Sequence, residues 1–353
     1  MSGGGAGEAS AADAALRARI EARVGEASGS RVAVRTLDRL AGGACQDNYA
    51  AVLSFDGGEL SGERKLVLRS DANTSLPGSL DRAKEFDVIR AAVERGVRTP
   101  TPRWLTRGLT RESSYAYFLD WAEGDAIGRR VVAGPKLEKA REGLAAECAI
   151  ELAKIHSITP ETHPDLFAGA ASQASTDDPA EDAITFTEAM IDRMHEPRPA
   201  LELALLWLRT NRPARAPMTL VHGDFRTGNF MVTPAGLSAV LDWEFAHWGA
   251  PAEDLAWISV RDWRFGQLRK PVGGFASRAA FYEAYERASG TRVDRREVHY
   301  WEVMGNVRWA AASIHQGERY MSGGDADIEL VAVARRAVEM EWEALRLIDV
   351  GVS

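Results

Sequence analysis

The chain has 353 residues, 45% of them apolar, a formal net charge of −8 and two cysteines. That length suits one large or two coupled units with a real core. The negative balance offers nothing to a nucleic acid or an anionic membrane and would better suit a cationic substrate. Cys45 and Cys148 lie far apart and outside any Cys-x-x-Cys. This argues against a disulfide scaffold or structural zinc and for a reducing, cytoplasmic setting. Met1 to Ala15 lacks the basic segment and apolar run of a signal peptide, and no stretch reaches the roughly 18 apolar residues of a membrane span.

Residues 1–10, rich in Gly, Ser and Ala, are expected to be disordered, and a helix is expected from Asp13 to Val24. Val32–Leu40, Tyr49–Phe55 and Lys65–Arg69 read as strands, punctuated by Gly42-Gly43 and Gly57-Gly58, so a small antiparallel sheet is expected. Ala83, Phe86, Ile89, Ala92 and Val93 recur at helical spacing and predict a helix over Leu80–Glu94, ended by Gly96. Pro100 and Pro102 break the chain before Arg103–Thr106, Ser114–Trp121 reads as a strand, and Glu123-Gly124 ends it. The expected organisation is a tail and helix over 1–29, a small lobe over 30–122 and a helical lobe over 123–353. Within the last, helices are expected at Leu137–Ser157, Ile184–Met194, Leu201–Arg209, Gly274–Ala288, His299–Glu318 and Asp327–Leu347. Asp165–Asp178 reads as a loop, and Met218–Val221, Phe230–Thr233 and Ala239–Asp242 as short strands. The class is therefore α+β, a small antiparallel sheet followed by a large, mainly helical lobe, and two such lobes would create a ligand cleft.

The most informative segment is Val221-His222-Gly223-Asp224-Phe225-Arg226-Thr227-Gly228-Asn229-Phe230, followed by Leu241-Asp242-Trp243-Glu244. An Asp, an Asn five residues on and a second Asp at a strand end form the inventory of phosphoryl transfer from a metal–nucleotide complex. Asp224 is the candidate catalytic carboxylate, positioned on a substrate hydroxyl. Asn229 and Asp242 are the candidate ligands of a hard divalent ion such as Mg²⁺, which prefers oxygen donors. His222 reads as a support for the loop backbone rather than a base. Arg226 offsets charge on phosphate or on Asp224, or forms a surface salt bridge. Glu244, on the face of Asp242, orients metal-bound water or binds substrate.

This pattern resembles the aminoglycoside phosphotransferase and choline kinase family, relatives of the protein kinases. The family tends to show His-Gly-Asp, Asn five residues past the Asp, then Asp-Trp-Glu, and all three occur here. Pro251 and Asp254-Leu255-Ala256 match its later Pro-x-x-Asp-Leu-Ala segment, although Gly249-Ala250-Pro251 stands where Gly-Asp-Pro is usual. The resemblance implies a two-lobed protein-kinase-like fold, ATP and Mg²⁺ as cofactors, and a buried brace at Asp254 that accepts N–H bonds from the catalytic loop. In the small lobe it implies a nucleotide site. Gly43, Ala44 and Cys45 lie in a loop like the family's looser glycine loop, with Cys45, Gln46 and Asn48 as departures. Arg69 takes the place of the protein-kinase Lys with Glu85 as its partner, Lys65 being the rival cation. Asp120 and Ala122 sit on the connector beside the base.

Specificity should come from the helical lobe, where Trp301, Glu302 and Arg308, with Glu244 and Arg261, are candidate substrate contacts. Ordinary helix packing accounts equally well for Trp301 and Arg308. This segment is similar to a branch related to the kinase-like domain fused to some acyl-CoA dehydrogenases, which implies a hydroxyacyl or other hydroxylated small molecule as acceptor. The alternatives are an aminoglycoside, with Glu244, Asp262 and Glu302 supplying carboxylates, and an inactive nucleotide-binding protein. Neither a nucleic acid nor a membrane is an expected partner, and the chain is expected to be a monomer or homodimer.

Overall fold

The computed structural model describes residues 5–40, 47–71, 76–169, 178–324 and 327–352. Two compact units emerge from its packing: Met1–Val93 with Thr99–Ala122, and Glu94–Arg98 with Glu123–Ser353.

The first unit is built on a five-stranded antiparallel sheet. Its strands are β1 (Val32–Arg39), β2 (Asp47–Phe55), β3 (Gly62–Ser70), β4 (Pro102–Arg107) and β5 (Tyr115–Asp120), in the order β1-β2-β3-β5-β4. Side chains alternate across such a sheet, so Ala51, Leu53, Phe55, Leu66, Leu68, Ala116 and Phe118 gather in one buried cluster. Helix α1 (Gly5–Ser28) joins that cluster through Leu16, Ile20 and Val24, spaced four residues apart on one stripe. The helix begins at Gly5 instead of Asp13. The expectation of disorder over 1–10 therefore fails from residue 5 onward, where the helix favoured by Ala11, Ala12, Ala14 and Ala15 extends back through Gly7 and Gly5 despite their poor propensity. Arg69 and Tyr117 pair directly across β3 and β5 and belong to the other face by alternation. Helix α2 (Arg82–Glu94) packs there, with Phe86 edge-on to Tyr117 at 5.6 Å. Pro102 opens the edge strand β4, where its missing N–H costs no ladder bond. Trp104, at φ 52°, marks the bulge in that strand.

The second unit is mainly helical. It contains α3 (Gly128–Ala133), α4 (Glu138–Ile155), α5 (Pro179–Ile191), α6 (Pro199–Thr210), α7 (Pro251–Trp257) and α8 (Arg278–Ser289). Helices α9 (Arg295–Met321), α10 (Glu329–Ala334) and α11 (Ala337–Val350) complete it. The long α9 packs against α5, α6, α7, α10 and α11. Its start is moved back from His299 by Asp294, which caps the N–H groups of Arg296 and Glu297. Ser277 likewise starts α8 later than Gly274, since Gly273 and Gly274 both take positive φ. The single helix expected over Asp327–Leu347 is two, α10 and α11. The hairpin β7 (Phe230–Thr233)–β8 (Gly236–Val240) forms as expected, and β6 (Thr219–Val221) pairs with a strand the sequence did not announce, β9 (His247–Gly249). Asp242 lies beyond β8, not within a strand. No described helix is long and apolar enough to cross a membrane.

Because Ile20 is fully buried against the sheet, Ile20→Ala should cost about 2–5 kcal/mol. Hydrogen exchange read by mass spectrometry should accelerate in β1–β3 and stay unchanged in β7–β8. Unaltered exchange in β1–β3 would show that α1 is not part of this core.

Candidate active site

Strand β6 delivers the chain into His222–Asn229, and β7 carries it away. Gly223 adopts φ 76°, and a Cβ there would collide with the Phe245 carbonyl oxygen, so only glycine lets the loop pass. The loop's backbone is held from below by Asp254 of α7. This buried carboxylate accepts the N–H groups of His222 (2.8 Å) and Gly223 (3.0 Å). His156 Nε2 lies 3.2 Å from the same carboxylate, and His156 Nδ1 lies 2.7 Å from the Tyr285 hydroxyl. Burial alone would raise the Asp254 pKa, but its contacts with His156 and His222 hold it below the ordinary aspartate range. Asp254 is thus the brace that the family resemblance implied.

His222 is enclosed, and desolvation pushes its pKa down. The neutral ring fits its contacts: Nε2 lies 3.0 Å from the Leu241 carbonyl, to which it donates, and Nδ1 accepts the Asp224 N–H at 3.2 Å. One imidazole therefore ties the start of the loop to the segment bearing Asp242, which is the supporting role expected of it.

Asp224 has both carboxylate oxygens engaged. Oδ1 accepts Arg226 Nε at 2.9 Å and Trp257 Nε1 at 2.8 Å, and Oδ2 accepts Asn229 Nδ2 at 2.5 Å. Asn229 Nδ2 also donates to the Asp224 carbonyl, at 3.1 Å. With the nitrogen side of its amide committed, Asn229 retains its amide oxygen as a ligand atom. The Leu241 N–H donates to the Asn229 carbonyl at 2.7 Å, which places Asn229 and the 241–242 segment at the same end of the β7–β8 hairpin. Asp242 itself holds φ 67°, one of three non-glycine positive φ values among the described residues. Such backbone persists only where the surroundings impose it, and it clusters at functional sites. The donor set of Asn229 and Asp242 is oxygen only, and the described residues contain no group of three His, Cys, Asp or Glu side chains that would hold a metal unaided. This fits a hard ion such as Mg²⁺ that takes its other ligands from phosphate and water.

In the first unit, Arg69 is the penultimate residue of β3 and its Nη2 lies 2.9 Å from Glu85 Oε1. Lys65 is exposed, with its ammonium 3.4 Å from the centre of the Trp121 ring. Asp120 takes a two-pronged bond from Arg103, at 2.5 and 2.9 Å, and Ala122 is half-buried two residues on. Gly43, Ala44 and Cys45 lie outside the described residues.

The substrate candidates divide. Trp301 is among the largest fully buried side chains. Glu302 is buried beside Arg264 and Arg278, each at 3.1 Å. Arg261 pairs with Glu343 at 3.4 Å and Arg308 with Glu253 at 3.0 Å, while Glu244 is buried. The carboxylate of Asp224 instead meets Arg226, Asn229 and Trp257, and the Arg226 guanidinium lies 4.3 Å from the Trp263 ring centre. Nothing in the local sequence pattern announced the bond from Trp257 to Asp224, 33 residues away. Sequence reasoning missed His156 and Arg82 altogether. The three-residue spacing of Arg82 and Glu85 on one helix was the available signal for the latter.

The model of the phosphotransferase enzyme family matches residues 36–301. Mouse acyl-CoA dehydrogenase family member 10 is 30% identical over 218 residues, covering 58% of this chain and 20% of its own length. Human acyl-CoA dehydrogenase family member 11 is 27% identical over 208 residues, covering 56% and 25%. The chain thus spans only a fifth to a quarter of these relatives. Among solved structures, a Ralstonia eutropha protein with a provisional assignment as an aminoglycoside phosphotransferase aligns with a TM-score of 0.70 at 18% identity, over 95% of this chain and 98% of its own. The GDP complex of aminoglycoside 2′-phosphotransferase-IIIa aligns at 0.56 and 12%, over 93% and 98%. A choline kinase of Streptococcus pneumoniae aligns at 0.54 and 16%, over 88% and 94%. At such identities the likeness is one of fold, two-lobed and protein-kinase-like.

Asp254→Asn should lower the thermal midpoint at pH 7, because one charged acceptor of two loop N–H groups is lost. The folded pKa is depressed, so wild-type stabilisation is present above the ordinary value of 3.8 and disappears as pH falls through the lower folded value. The gap between wild type and variant should therefore narrow below about pH 4. A gap that widens on acidification would refute the brace.

Proposed function

The chain belongs to the phosphotransferase enzyme family, and from that premise we propose that it is an ATP- and Mg²⁺-dependent kinase acting on an alcohol hydroxyl of a small cytoplasmic metabolite. The observation that carries this reading is the Asp224 carboxylate, held by Asn229, Arg226 and Trp257. The acceptor hydroxyl donates to Asp224 and its oxygen forms a bond to the terminal phosphorus. The bond from that phosphorus to the bridging oxygen breaks, ADP leaves, and the hydroxyl proton passes to the carboxylate. Three donors on Asp224 fix where its oxygens lie, which suits a reaction governed by positioning. Asn229 and Asp242 hold the metal, which when bound supplies charge neutralisation at the phosphates. In this reading the first unit handles the nucleotide, with Arg69 on phosphate and the segment of Asp120 and Ala122 beside the base. The second unit carries catalysis and acceptor recognition.

For the acceptor, a hydroxyacyl or other hydroxylated compound is favoured over an aminoglycoside. A polycation needs spare carboxylates or bare aromatic faces. Asp262 is occupied by Trp309 Nε1 at 2.8 Å and by Arg336, and Glu302 by Arg264 and Arg278. Trp263 carries Arg226 at 4.3 Å and Trp257 carries Arg308 at 5.6 Å. Asp262, Glu302 and the two rings thus already serve arginines of this chain.

Asp224→Asn should reduce phosphoryl transfer by at least about 10²-fold while leaving nucleotide affinity measurable. Transfer is read as acceptor-dependent ADP release with the phosphorylated product weighed by mass spectrometry, across hydroxy acids, hydroxyacyl thioesters, amino alcohols and aminoglycosides. Equal turnover by variant and wild type at saturating substrates would reject the role of Asp224. Asp242→Ala should weaken nucleotide binding in the presence of Mg²⁺ and leave binding in its absence nearly unchanged.

A further inference from the structure

Glu85 is fully buried and accepts from three side chains. Arg69 Nη2 reaches Oε1 at 2.9 Å, while Oε2 takes Arg82 Nη1 and the Tyr117 hydroxyl, the latter at 2.6 Å. Tyr117 is a neutral donor, since burial and the neighbouring Glu85 raise its pKa well above the usual phenol range. Arg82 is buried as well, and its Nε lies 3.7 Å from Asp71 Oδ1. Asp71 in turn accepts the backbone N–H groups of Arg82 (3.1 Å) and Tyr115 (2.7 Å), which joins the end of β3, the start of β5 and the start of α2.

Among the described residues, two guanidiniums, Arg69 and Arg82, meet the Glu85 carboxylate and the partly exposed Asp71, whose carbonyl also accepts Arg111. Removing Arg82 takes one positive charge from this set and leaves Glu85 with Arg69 as its remaining guanidinium among the contacts described. A buried excess charge is felt strongly because little water screens it. Arg82 also fills Oε2, so that Glu85 offers Oε1 to Arg69 and holds that guanidinium in one orientation. Resting on the reading that Arg69 meets nucleotide phosphate, we infer that Arg82 is a positioning residue for phosphate recognition. It acts through Glu85 and keeps the cluster from repelling the polyphosphate. Asp71 is the opposing weight in the same balance.

The test is equilibrium binding of ATP and of adenosine by isothermal calorimetry, because only the phosphates sense this charge. Arg82→Gln should weaken ATP by on the order of tenfold and leave adenosine within about twofold, shrinking the ratio between them. Asp71→Asn keeps the shape but gives up one of its two N–H acceptor oxygens, so its thermal midpoint should fall, while the loss of negative charge should move the ratio the other way. Tyr117→Phe removes an uncharged donor from the same Oε2. It should lower the thermal midpoint and keep the ratio, which separates charge balance from loss of packing. If Arg82→Gln does not fold, the opposite shift in Asp71→Asn carries the test. The inference is overturned if Asp71→Asn fails to tighten ATP relative to adenosine, or if Arg82→Gln and Tyr117→Phe change the ratio alike. A wild type that binds ATP no more tightly than adenosine would instead remove the phosphate role of Arg69 itself.

Discussion

The His222–Asn229 loop depends on one buried carboxylate. Asp254 would be costly to enclose without partners, yet it receives two loop N–H groups and the His156 ring. Those bonds leave the backbone of His222 and Gly223 one place to lie. The His222 ring then spans from the Asp224 N–H to the Leu241 carbonyl, which sets the segment of Asp242 against the loop. The backbone around the motif's two aspartates and its asparagine is thereby held by Asp254 and His222.

The same device recurs through the molecule, with carboxylates shared among several donors. Asp224 has Arg226, Trp257 and Asn229, and Glu85 has Arg69, Arg82 and Tyr117. Glu343 meets Arg261, Arg264 and Arg346. Pairing of this kind makes the net charge of −8 a poor guide to the local field. A cationic substrate suits the total, but the surroundings of Asp224 are rich in N–H donors, and their aromatic rings are covered by guanidiniums. Field strength at a site is decided by the nearest few groups, since more distant exposed charges are screened.

Much of the architecture was legible in local pattern. Four-residue spacing of Leu16, Ile20 and Val24 marks one buried stripe, and alternation in β2 and β3 marks one sheet face. The His-Gly-Asp loop was legible because its chemistry needs fixed short spacings. Trp301 and Glu302 were harder, because helical periodicity marks a face without saying whether it lines a pocket or fills a core, and here both residues are buried. The three-residue β9 is too short for any periodicity, and it exists because β6 pairs with it.

By itself the sequence determined the order of the elements, the two-lobed α+β class and the spacing of Asp224, Asn229 and Asp242, because each is written in neighbouring residues. Only the tertiary structure decided which charges meet. Trp257 reaches Asp224 across 33 positions, His156 meets Asp254 across 98, and Arg98 Nη1 finds the Leu237 carbonyl 139 residues on. A buried polar atom must take whatever partner the packed chain brings within about 3 Å. That proximity is created by the folding of distant segments together, and no local period records it.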